Sequence, residues 1–283
     1  MNRRIKLIAL RIILIFAISI TTIPMYAADD EDSDSTSVHA FEVSLSTANN
    51  QIQRGRKLES NYLNITPKFH YCYDESFYAD VSLAFFPTFK TSKTDSWGFD
   101  VGYNIGLVDS ISTGIEYAYN KYASYRQATS SFQNAVTWSL EWENAIATPT
   151  LTTSYNFGGT TDFFTDLELT HKFAFKHIFS SQDELTLPLS VSTSFGTSHF
   201  YQQYLKQYLI DNPERNKKGK LIAPESISTS FQLTDVILSL AANYEIEGFR
   251  ISPEFDFQIP FNHISDLSSA YKPVILVELA YSF

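Results

Sequence analysis

One pattern recurs along most of this chain and limits what it can fold into. Apolar and polar residues alternate for about ten to thirteen residues, a break follows, and the alternation resumes. In residues 97–107 the odd positions are Trp, Phe, Val, Tyr, Ile and Leu, whereas the even positions are Gly, Asp, Gly, Asn and Gly. Because successive side chains of a strand point to opposite faces, a period of two predicts strands with one apolar and one polar face. Residues 132–142 likewise place Phe132, Val136 and Trp138 on one apolar face.

The alternation predicts twelve strands separated by two kinds of break. The predicted strands are residues 40–48, 62–73, 77–87, 97–108, 111–122, 132–143, 146–157, 163–176, 184–198, 231–246, 249–261 and 272–283. Every second break is short, and the others are mostly longer. The short breaks are residues 74–76, 109–110, 144–145, a stretch near 180–184, and 247–248. Bacterial outer-membrane barrels combine an even number of strands with short periplasmic turns and longer external loops.

The sequence therefore predicts an all-β fold, a transmembrane antiparallel up-and-down β-barrel of about twelve strands. Twelve residues rising about 3.4 Å each, at a tilt of about 40°, cover the apolar band of about 25 Å that such barrels present to lipid. A soluble sandwich or lipocalin-like barrel also alternates. In a soluble fold, however, nothing requires the long and short connections to lie at opposite ends. Nothing there requires an aromatic content as high as 17 Tyr and 23 Phe either.

The first residues have the composition of an export signal. A basic start is followed by an apolar run at Leu7–Ile20 and then by small residues, which is the arrangement of a secretory signal peptide. The apolar run is interrupted by an arginine and is shorter than the roughly 20 residues that a helical span needs. We therefore expect a signal peptide at 1–28, an acidic flexible periplasmic leader at 29–39, and an outer-membrane barrel at 40–283.

Charge and cysteine content exclude several kinds of partner. Four of the 21 basic residues lie in residues 1–28, which leaves 17 bases against 31 acids and a formal charge of −14. Such a chain does not bind nucleic acid, because phosphates need Lys and Arg. Cys72 is the only cysteine, so the chain forms no intramolecular disulfide and no thiolate metal cluster. We expect no metal and no other cofactor.

The last segment, VILVELAYSF at Val274–Phe283, is predicted to close the barrel by pairing with the first strand near Phe41–Ala48. Its odd positions then face lipid and its even positions face inward. In this ending the chain resembles the outer-membrane barrel proteins of Gram-negative bacteria, which end in an alternating strand with a terminal aromatic residue that the barrel assembly machinery reads. The resemblance implies a location in the outer membrane, contact with lipid and lipopolysaccharide, and recognition of the Phe283 end by that machinery.

A second resemblance covers two short segments. A family of uncharacterised bacterial barrels carries Arg-Gly shortly after its first strand, followed by a strand and a hairpin similar to Gly-Phe-Tyr-Ala. QRGRKL at residues 53–58 and ESFYADVSL at residues 75–83 look similar. That family has an aromatic residue just before Arg-Gly, where this chain has Gln53, and the family has no assigned function.

The polar faces of the predicted strands carry more acids than bases. Twelve acids and four bases fall there, a formal charge of −8. The acids are Glu42, Asp80, Asp100, Glu116, Glu141, Glu143, Asp166, Glu168, Glu245, Glu254, Asp256 and Glu278, and the bases are Lys68, Lys172, Lys176 and Arg250. Rings of Asp and Glu attract cations, and six of these acids are our candidates for lining a path: Glu141, Glu143, Asp166, Glu168, Glu254 and Asp256. The alternative is a lumen filled by hydrated salt bridges and hydrogen bonds.

Two of the predicted external loops carry features of their own. The first contains Arg54, Arg56 and Lys57, a basic patch for the phosphates of lipopolysaccharide or an ordinary solvated loop. The longest, at 199–230, has apolar residues spaced for one face of a short helix, followed by a basic turn. This helix has three possible places: over the barrel mouth, against a ligand, or on lipid headgroups.

These features predict a narrow passive channel or binding barrel for small solutes, because twelve strands lie between packed eight-stranded barrels and open porins. The first alternative is a sealed barrel whose external loops bind a partner or lipopolysaccharide. The second is a membrane-embedded hydrolase. The chain contains neither Gly-x-Ser-x-Gly nor His-Glu-x-x-His, and its candidate for such chemistry is His171, on the lipid-facing side of a predicted strand. We expect no enzymatic activity.

Overall fold

The structure is a computed structural model that describes residues 39–49, 52–53, 56–57, 63–85, 94–122, 132–199, 229–261 and 273–283. At 52–53, 56–57 and 94–95 the description covers the backbone alone. The predicted signal peptide, the leader as far as residue 38, Arg54, and the predicted helix in the loop at 199–230 lie outside the described residues.

The described residues contain fifteen strands. They are β1 (His39–Ala48), β2 (Ile52–Gln53), β3 (Arg56–Lys57), β4 (Asn64–Tyr73), β5 (Phe77–Phe85), β6 (Thr94–Val108), β7 (Ile111–Tyr122), β8 (Phe132–Trp142), β9 (Thr148–Gly158), β10 (Asp162–Lys176), β11 (Asp183–Gly196), β12 (Gln232–Ala241), β13 (Asn243–Ile246), β14 (Phe249–Pro260) and β15 (Pro273–Ser282). All twelve predicted strands are present, with ends that differ by at most three residues, and the tenth is divided into β12 and β13 at Ala242.

Twelve of these strands close into one antiparallel barrel, to which β13 adds a short thirteenth. Neighbours along the chain pair with each other, β10 pairs with β11, and β1 pairs with both β4 and β15, so the sheet has no free edge. The short strand β13 follows β12 and pairs, as β12 does, with β11 and β14. Strands β2 and β3 form a separate hairpin. The predicted closed up-and-down topology is confirmed.

The short connections lie at one end of the barrel, together with His39 and Phe283. Two of them are tight hairpins, because positive φ angles occur at Asp74 (51°) and Glu75 (54°) in one and at Glu247 (49°) and Gly248 (78°) in the other. Two consecutive residues with positive φ match the twist of the flanking strands. At Gly248 a Cβ would also meet the Ser282 carbonyl oxygen at 2.7 Å, so this turn requires glycine.

The two ends of the described chain meet at the closing seam. The Phe41 N–H donates to the Phe283 carbonyl at 3.1 Å, and the Phe283 N–H donates to the Phe41 carbonyl at 2.9 Å. Their rings stack with centroids 5.9 Å apart. The predicted pairing of the last strand with the first is therefore confirmed, and the terminal Phe is held by two backbone hydrogen bonds and a ring contact.

The barrel wall has one apolar and one polar face. Val43, Phe69, Val81 and Phe99 are directly paired across β1, β4, β5 and β6, and Phe69 keeps 42% of its surface exposed. Among the described residues only Phe132, Phe164, Val274 and Ala280 are buried hydrophobics. Large apolar side chains therefore cover the outside of the barrel, the reverse of a soluble core.

Candidate functional site

The first group of interior polar side chains lies on β5 to β7, and a glycine makes room for it. Tyr78, Gly102 and Glu116 are directly paired across these strands. The Tyr78 hydroxyl donates a hydrogen bond of 2.7 Å to Glu116 Oε2. A Cβ at Gly102 would come closer than 3.0 Å to the Tyr78 ring. The absence of a side chain at Gly102 is therefore what lets Tyr78 cross β6 and reach Glu116.

The neighbouring row of the same face contains acids with and without basic partners. His70, Asp80 and Asp100 are directly paired across β4, β5 and β6. His70 Nδ1 lies 2.6 Å from Asp80 Oδ1, and Lys68 Nζ lies 3.8 Å from Asp80 Oδ2. Asp100 forms no ion pair within the described part of the chain, and the charges of Glu116, Asp80 and Lys68 all act on it.

An arginine links three strands at the closing seam. Arg250 on β14 lies opposite Ala280 on β15. Its Nη2 donates to Glu278 Oε1 on β15 at 3.0 Å and, beyond that strand, to Glu42 Oε1 on β1 at 3.1 Å. The Ser282 hydroxyl donates to the other Glu42 oxygen at 3.2 Å. One cation thus bridges two acids and joins the first strand to the last two.

Two of the predicted lumen acids, Glu254 and Asp256, lie on β14, and neither forms an ion pair with a described residue. The Ser239 hydroxyl donates a hydrogen bond of 2.6 Å to Asp256 Oδ1. The charges of Asp256, Glu168 and Glu278 all act on Glu254. Glu168 belongs to β10, three strands away in the sheet, so the curved interior brings together acids that are distant in sequence.

Two further predicted lumen acids share a row on β8 to β10. Glu141 and Glu168 each pair with Thr150, which lies between them on β9. The Thr150 hydroxyl donates to Glu141 Oε2 at 3.5 Å, and the Thr170 hydroxyl donates to Glu168 Oε1 at 2.7 Å. Both carboxylates are therefore hydrogen-bonded by threonine hydroxyls, and neither takes part in an ion pair within the described ranges.

The remaining two predicted lumen acids differ in position. Asp166 is half-buried on β10, directly paired with Thr152 and Ser194. Glu143 lies one residue past the end of β8, in an exposed turn, and its N–H donates to the Ser110 carbonyl at 2.7 Å. Glu143 is therefore a residue of the short-turn rim, because β8 ends one residue earlier than the alternation predicts.

At the long-loop end, side chains from β8 and β10 form a packed cluster. Phe164 is buried and meets Phe132 edge to face, with ring centroids 5.9 Å apart. Asp162 is 1% exposed and accepts hydrogen bonds from the Thr197 hydroxyl at 2.6 Å and the His199 N–H at 2.8 Å. Two aromatic rings and a hydrogen-bonded carboxylate are thus buried at this end of the barrel.

The position of Phe132 differs from the sequence prediction. Alternation placed Phe132 on the apolar face with Val136 and Trp138. The structure has a β-bulge between Phe132 and Asn134, and Phe132 is buried against Phe164. A bulge adds one unpaired residue, so the residues on its two sides no longer follow one alternation.

Little of the predicted basic loop falls in the described residues. Arg56 and Lys57 form β3, which pairs with β2 at Ile52–Gln53. The side chains of Arg56 and Lys57, and the whole of Arg54, lie outside the description. Their role in binding phosphate stays a prediction.

His171 lies on the outer face of β10. Its ring meets Phe173 edge to face, with centroids 4.4 Å apart, and its Nδ1 contacts the backbone carbonyl of Ile146. Among the described residues no hydrogen bond joins His171 to a carboxylate or a hydroxyl. A hydrolase needs a nucleophile or an activated water beside its base, and these contacts provide neither.

Two interior residues were missed by the sequence analysis. Tyr78 and Gly102 form the crossing of β6 described above. The alternation alone places Tyr78 on the same face as Asp80, so the inward position of Tyr78 could be predicted from the sequence. The hydrogen bond to Glu116 depends on the register of three strands, which alternation does not specify.

The described residues show neither a metal site nor a helical span. No group of three or more His, Cys, Asp or Glu side chains in the described ranges is arranged to hold a metal ion. No helix in this part of the chain is both long and apolar enough to cross a membrane.

Comparison with known proteins gives structural similarity alone. No protein family matches the sequence, and no curated protein matches it. The chain is similar to solved β-barrels: a structure described as NanC porin (TM-score 0.47, 9% identity, 84% of this chain and 98% of that one), one described as KdgM porin (0.47, 8%, 86% and 99%), and LpxR from Salmonella typhimurium (0.48, 7%, 85% and 99%). At these identities and TM-scores the similarity does not extend to activity.

Proposed function

We propose that the chain is an outer-membrane barrel of a Gram-negative cell, exported by a signal peptide at residues 1–28. The exposed apolar face supports this location, because a soluble barrel with so many exposed aromatic and aliphatic side chains would aggregate. Closure of the sheet supports it as well, since lipid cannot solvate a free strand edge. The exposed side chain of Phe283 (44%) at the closing seam is the end that the barrel assembly machinery would read.

Within that barrel, we infer a narrow passive channel or binding barrel that favours small cationic or neutral solutes. The observation that carries this inference is a set of interior acids that form no ion pair in the described part of the chain. They are Asp100, Glu116, Glu141, Glu168, Glu254 and Asp256. Uncompensated carboxylates along a narrow polar interior attract cations and repel anions.

Conductance in a planar bilayer tests this function. We expect current steps and, in a salt gradient, a reversal potential of the sign that cation preference gives. Replacing the acidic pair on β14 by Glu254→Gln and Asp256→Asn should lower both the conductance and the cation preference, and the new Asn keeps an oxygen for the Ser239 hydroxyl. The matched control, Glu75→Gln with Asp109→Asn, removes two charges from the short-turn rim. Equal effects of the two double variants would contradict an acidic selectivity path.

A sealed barrel is the second candidate, and the packed cluster of Phe132, Phe164 and Asp162 favours it. Its external loops, including Arg54, Arg56 and Lys57, would then bind a partner or the phosphates of lipopolysaccharide. This candidate predicts no current steps across many insertions, together with binding to lipopolysaccharide that weakens as salt rises.

The hydrolase alternative is the least supported. The contacts of His171 with Phe173 and Ile146 explain its position by packing. Unchanged phospholipid after incubation with the refolded barrel is the expected result. Turnover that disappears in the His171→Ala variant would reverse this view.

A further inference from the structure

Three side chains that accept hydrogen bonds follow one another on the inner face of β14. They are Glu254, Asp256 and Gln258, at every second residue of the strand. Successive members therefore start about 6.8 Å apart along the strand. This stretch of β14 offers two carboxylates and one amide oxygen to the interior of the barrel.

The amide oxygen of Gln258 is buried without a hydrogen bond. Gln258 is 7% exposed, and its Oε1 accepts no hydrogen bond from any described residue. The residue directly paired with it on β12 is Ile237, whose side chain has no donor. A buried acceptor that lacks a donor costs stability. A bound ligand with a free N–H group would supply the missing donor.

The two acids need a positive group between them. The carboxyl groups of Glu254 and Asp256 lie within hydrogen-bonding reach of each other. Ionised carboxylates are acceptors only, so this contact requires a proton or a cation that bonds to both. The hydroxyl of Ser239 already donates to Asp256 Oδ1, but it carries no charge. Arg250, the base on the same strand, is held by two other acids at the closing seam.

The wall around this pair is acidic and rich in hydroxyl groups. The charges of Glu168 on β10 and Glu278 on β15 also act on Glu254. On β11, Ser190 lies opposite Ser239 and contributes a hydroxyl group. A base, Lys172, lies further along the same face of β10 as Glu168, and it forms no ion pair with a described residue. Such surroundings attract a cation and repel an anion.

We propose that Glu254, Asp256 and Gln258 form an ammonium site, which binds the charged head of a small organic amine. The proposal rests on the function proposed above and names the class of cation that the interior recognises. A primary ammonium group has three N–H donors and no acceptor, which matches three acceptor groups on one strand. Glu254 and Gln258 flank the shorter Asp256, so both can lean toward one head group that lies over it.

Other cations fit these three groups less well. A metal ion would need more ligands, and no three His, Cys, Asp or Glu side chains in the described ranges are arranged to hold one. A quaternary ammonium ion has the same charge as a primary one but no N–H group. It would leave the Gln258 oxygen without a donor, so the site should discriminate against it.

Two isomeric cations test the proposal. Butylammonium and tetramethylammonium have the same formula and charge, but only butylammonium has N–H donors. The isotopically labelled barrel, refolded in detergent micelles at neutral pH, is titrated with each cation at constant ionic strength, and the side-chain amide signal of Gln258 is followed by NMR. We expect a shift that saturates with butylammonium, and half-saturation at a concentration at least tenfold higher with tetramethylammonium. Equal curves would show that charge alone attracts the cation and would overturn the proposal. A signal that moves with neither cation would leave a shared proton between the two acids and would also overturn it.

Two variants with the same change of residue locate the binding. Gln258→Met removes the amide oxygen and keeps both acids, whereas Gln182→Met makes the same change in an exposed short turn. Backbone signals of β14 report binding in both variants. The half-saturating concentration of butylammonium should rise about tenfold in the first, because a hydrogen bond to a charged group is lost, and stay unchanged in the second. Equal values would overturn the assignment. If Gln258→Met does not refold, as judged by the mobility shift on heating in detergent, the comparison of the two isomers decides.

The ammonium site and the channel can fail separately. The NMR titration needs no open path through the barrel, and conductance in a planar bilayer tests the path. Cation-selective current together with equal curves for the two isomers would refute the ammonium site alone. Saturable binding of butylammonium to a barrel that never conducts would support the site and contradict the channel.

Discussion

Replacing Gly102 by Ala is the sharpest test of how the interior is built. A Cβ at this position would meet Cζ, Oη and Cε1 of Tyr78 closer than 3.0 Å. The backbone at Gly102 is in an ordinary extended conformation, so strain from the glycine conformation plays no part. Tyr78 must therefore move, and its 2.7 Å hydrogen bond to Glu116 breaks. The substitution adds a single methyl group, yet it removes a link across three strands.

The expected loss of stability follows from two costs and one gain. Losing a hydrogen bond to a charged group costs about 1.5–3 kcal/mol, and forcing a side chain out of occupied space costs about 1–3 kcal/mol. Ala in place of Gly in a strand returns about 0.5–1 kcal/mol. Tyr78 and Glu116 are half-buried, so water replaces part of the lost bond. We therefore expect the free energy of unfolding to fall by about 2–4 kcal/mol.

Urea unfolding of the barrel in lipid vesicles, followed by tryptophan fluorescence, measures this change. Gly106 provides the control, because it lies on the same face of β6 and no atom lies within 4 Å of its ideal Cβ. Gly106→Ala should leave stability unchanged or raise it by about 0.5–1 kcal/mol.

A second comparison isolates the Tyr78 side chain. In a Tyr78→Ala background the obstacle is gone, so Gly102→Ala should then cost almost nothing, and the double-mutant cycle gives the coupling directly. The reasoning is refuted if Gly102→Ala and Gly106→Ala have equal effects. It is also refuted if Gly102→Ala costs the same with and without the Tyr78 ring.

Two further predictions concern the seam and the rim. Glu42→Gln should lower the free energy of unfolding by only about 1 kcal/mol, because Arg250 keeps Glu278 as its second acceptor. The loss should shrink in high salt. A loss that does not vary with salt would contradict an ionic contribution. Ile146 is 81% exposed in a turn. An environment-sensitive fluorophore is attached to Ile146→Cys in a chain that also carries Cys72→Ser. In a vesicle this fluorophore should report apolar surroundings. The same fluorophore on Asp109→Cys should report water, and water-like emission at both positions would argue against burial of this rim in the membrane interface.

The barrel was predictable because its main signal is local. Each residue of an alternating run faces away from its neighbour, so reading the faces needs only the sequence itself. The same locality explains the errors. The bulge between Phe132 and Asn134 changes the face of one residue without interrupting the alternation that follows. Strand ends are equally poorly marked, which is why Glu143 was expected on the wall and lies in the turn after β8.

The interior contacts were harder to predict because they depend on register. Sequence parity places Glu168 and Glu254 on the inner face, but only the closed sheet shows that the charge of one acts on the other. Likewise, Arg250 reaches Glu42 because β15 lies between β14 and β1. Pairs separated by 208 positions in the chain leave no signal in a single sequence.

An apolar outer wall explains why the interior is polar, but it does not explain why the interior carries more acids than bases. Charge excluded from the lipid face must lie inside the barrel or at its rims, and equal numbers of acids and bases would meet this condition. Here one arginine pairs with two acids at the seam, and Lys68 and His70 share Asp80. A surplus of like charge repels itself and costs stability. Under the proposed channel function this surplus would attract cations to the interior, a property that a neutral network of the same size would lack.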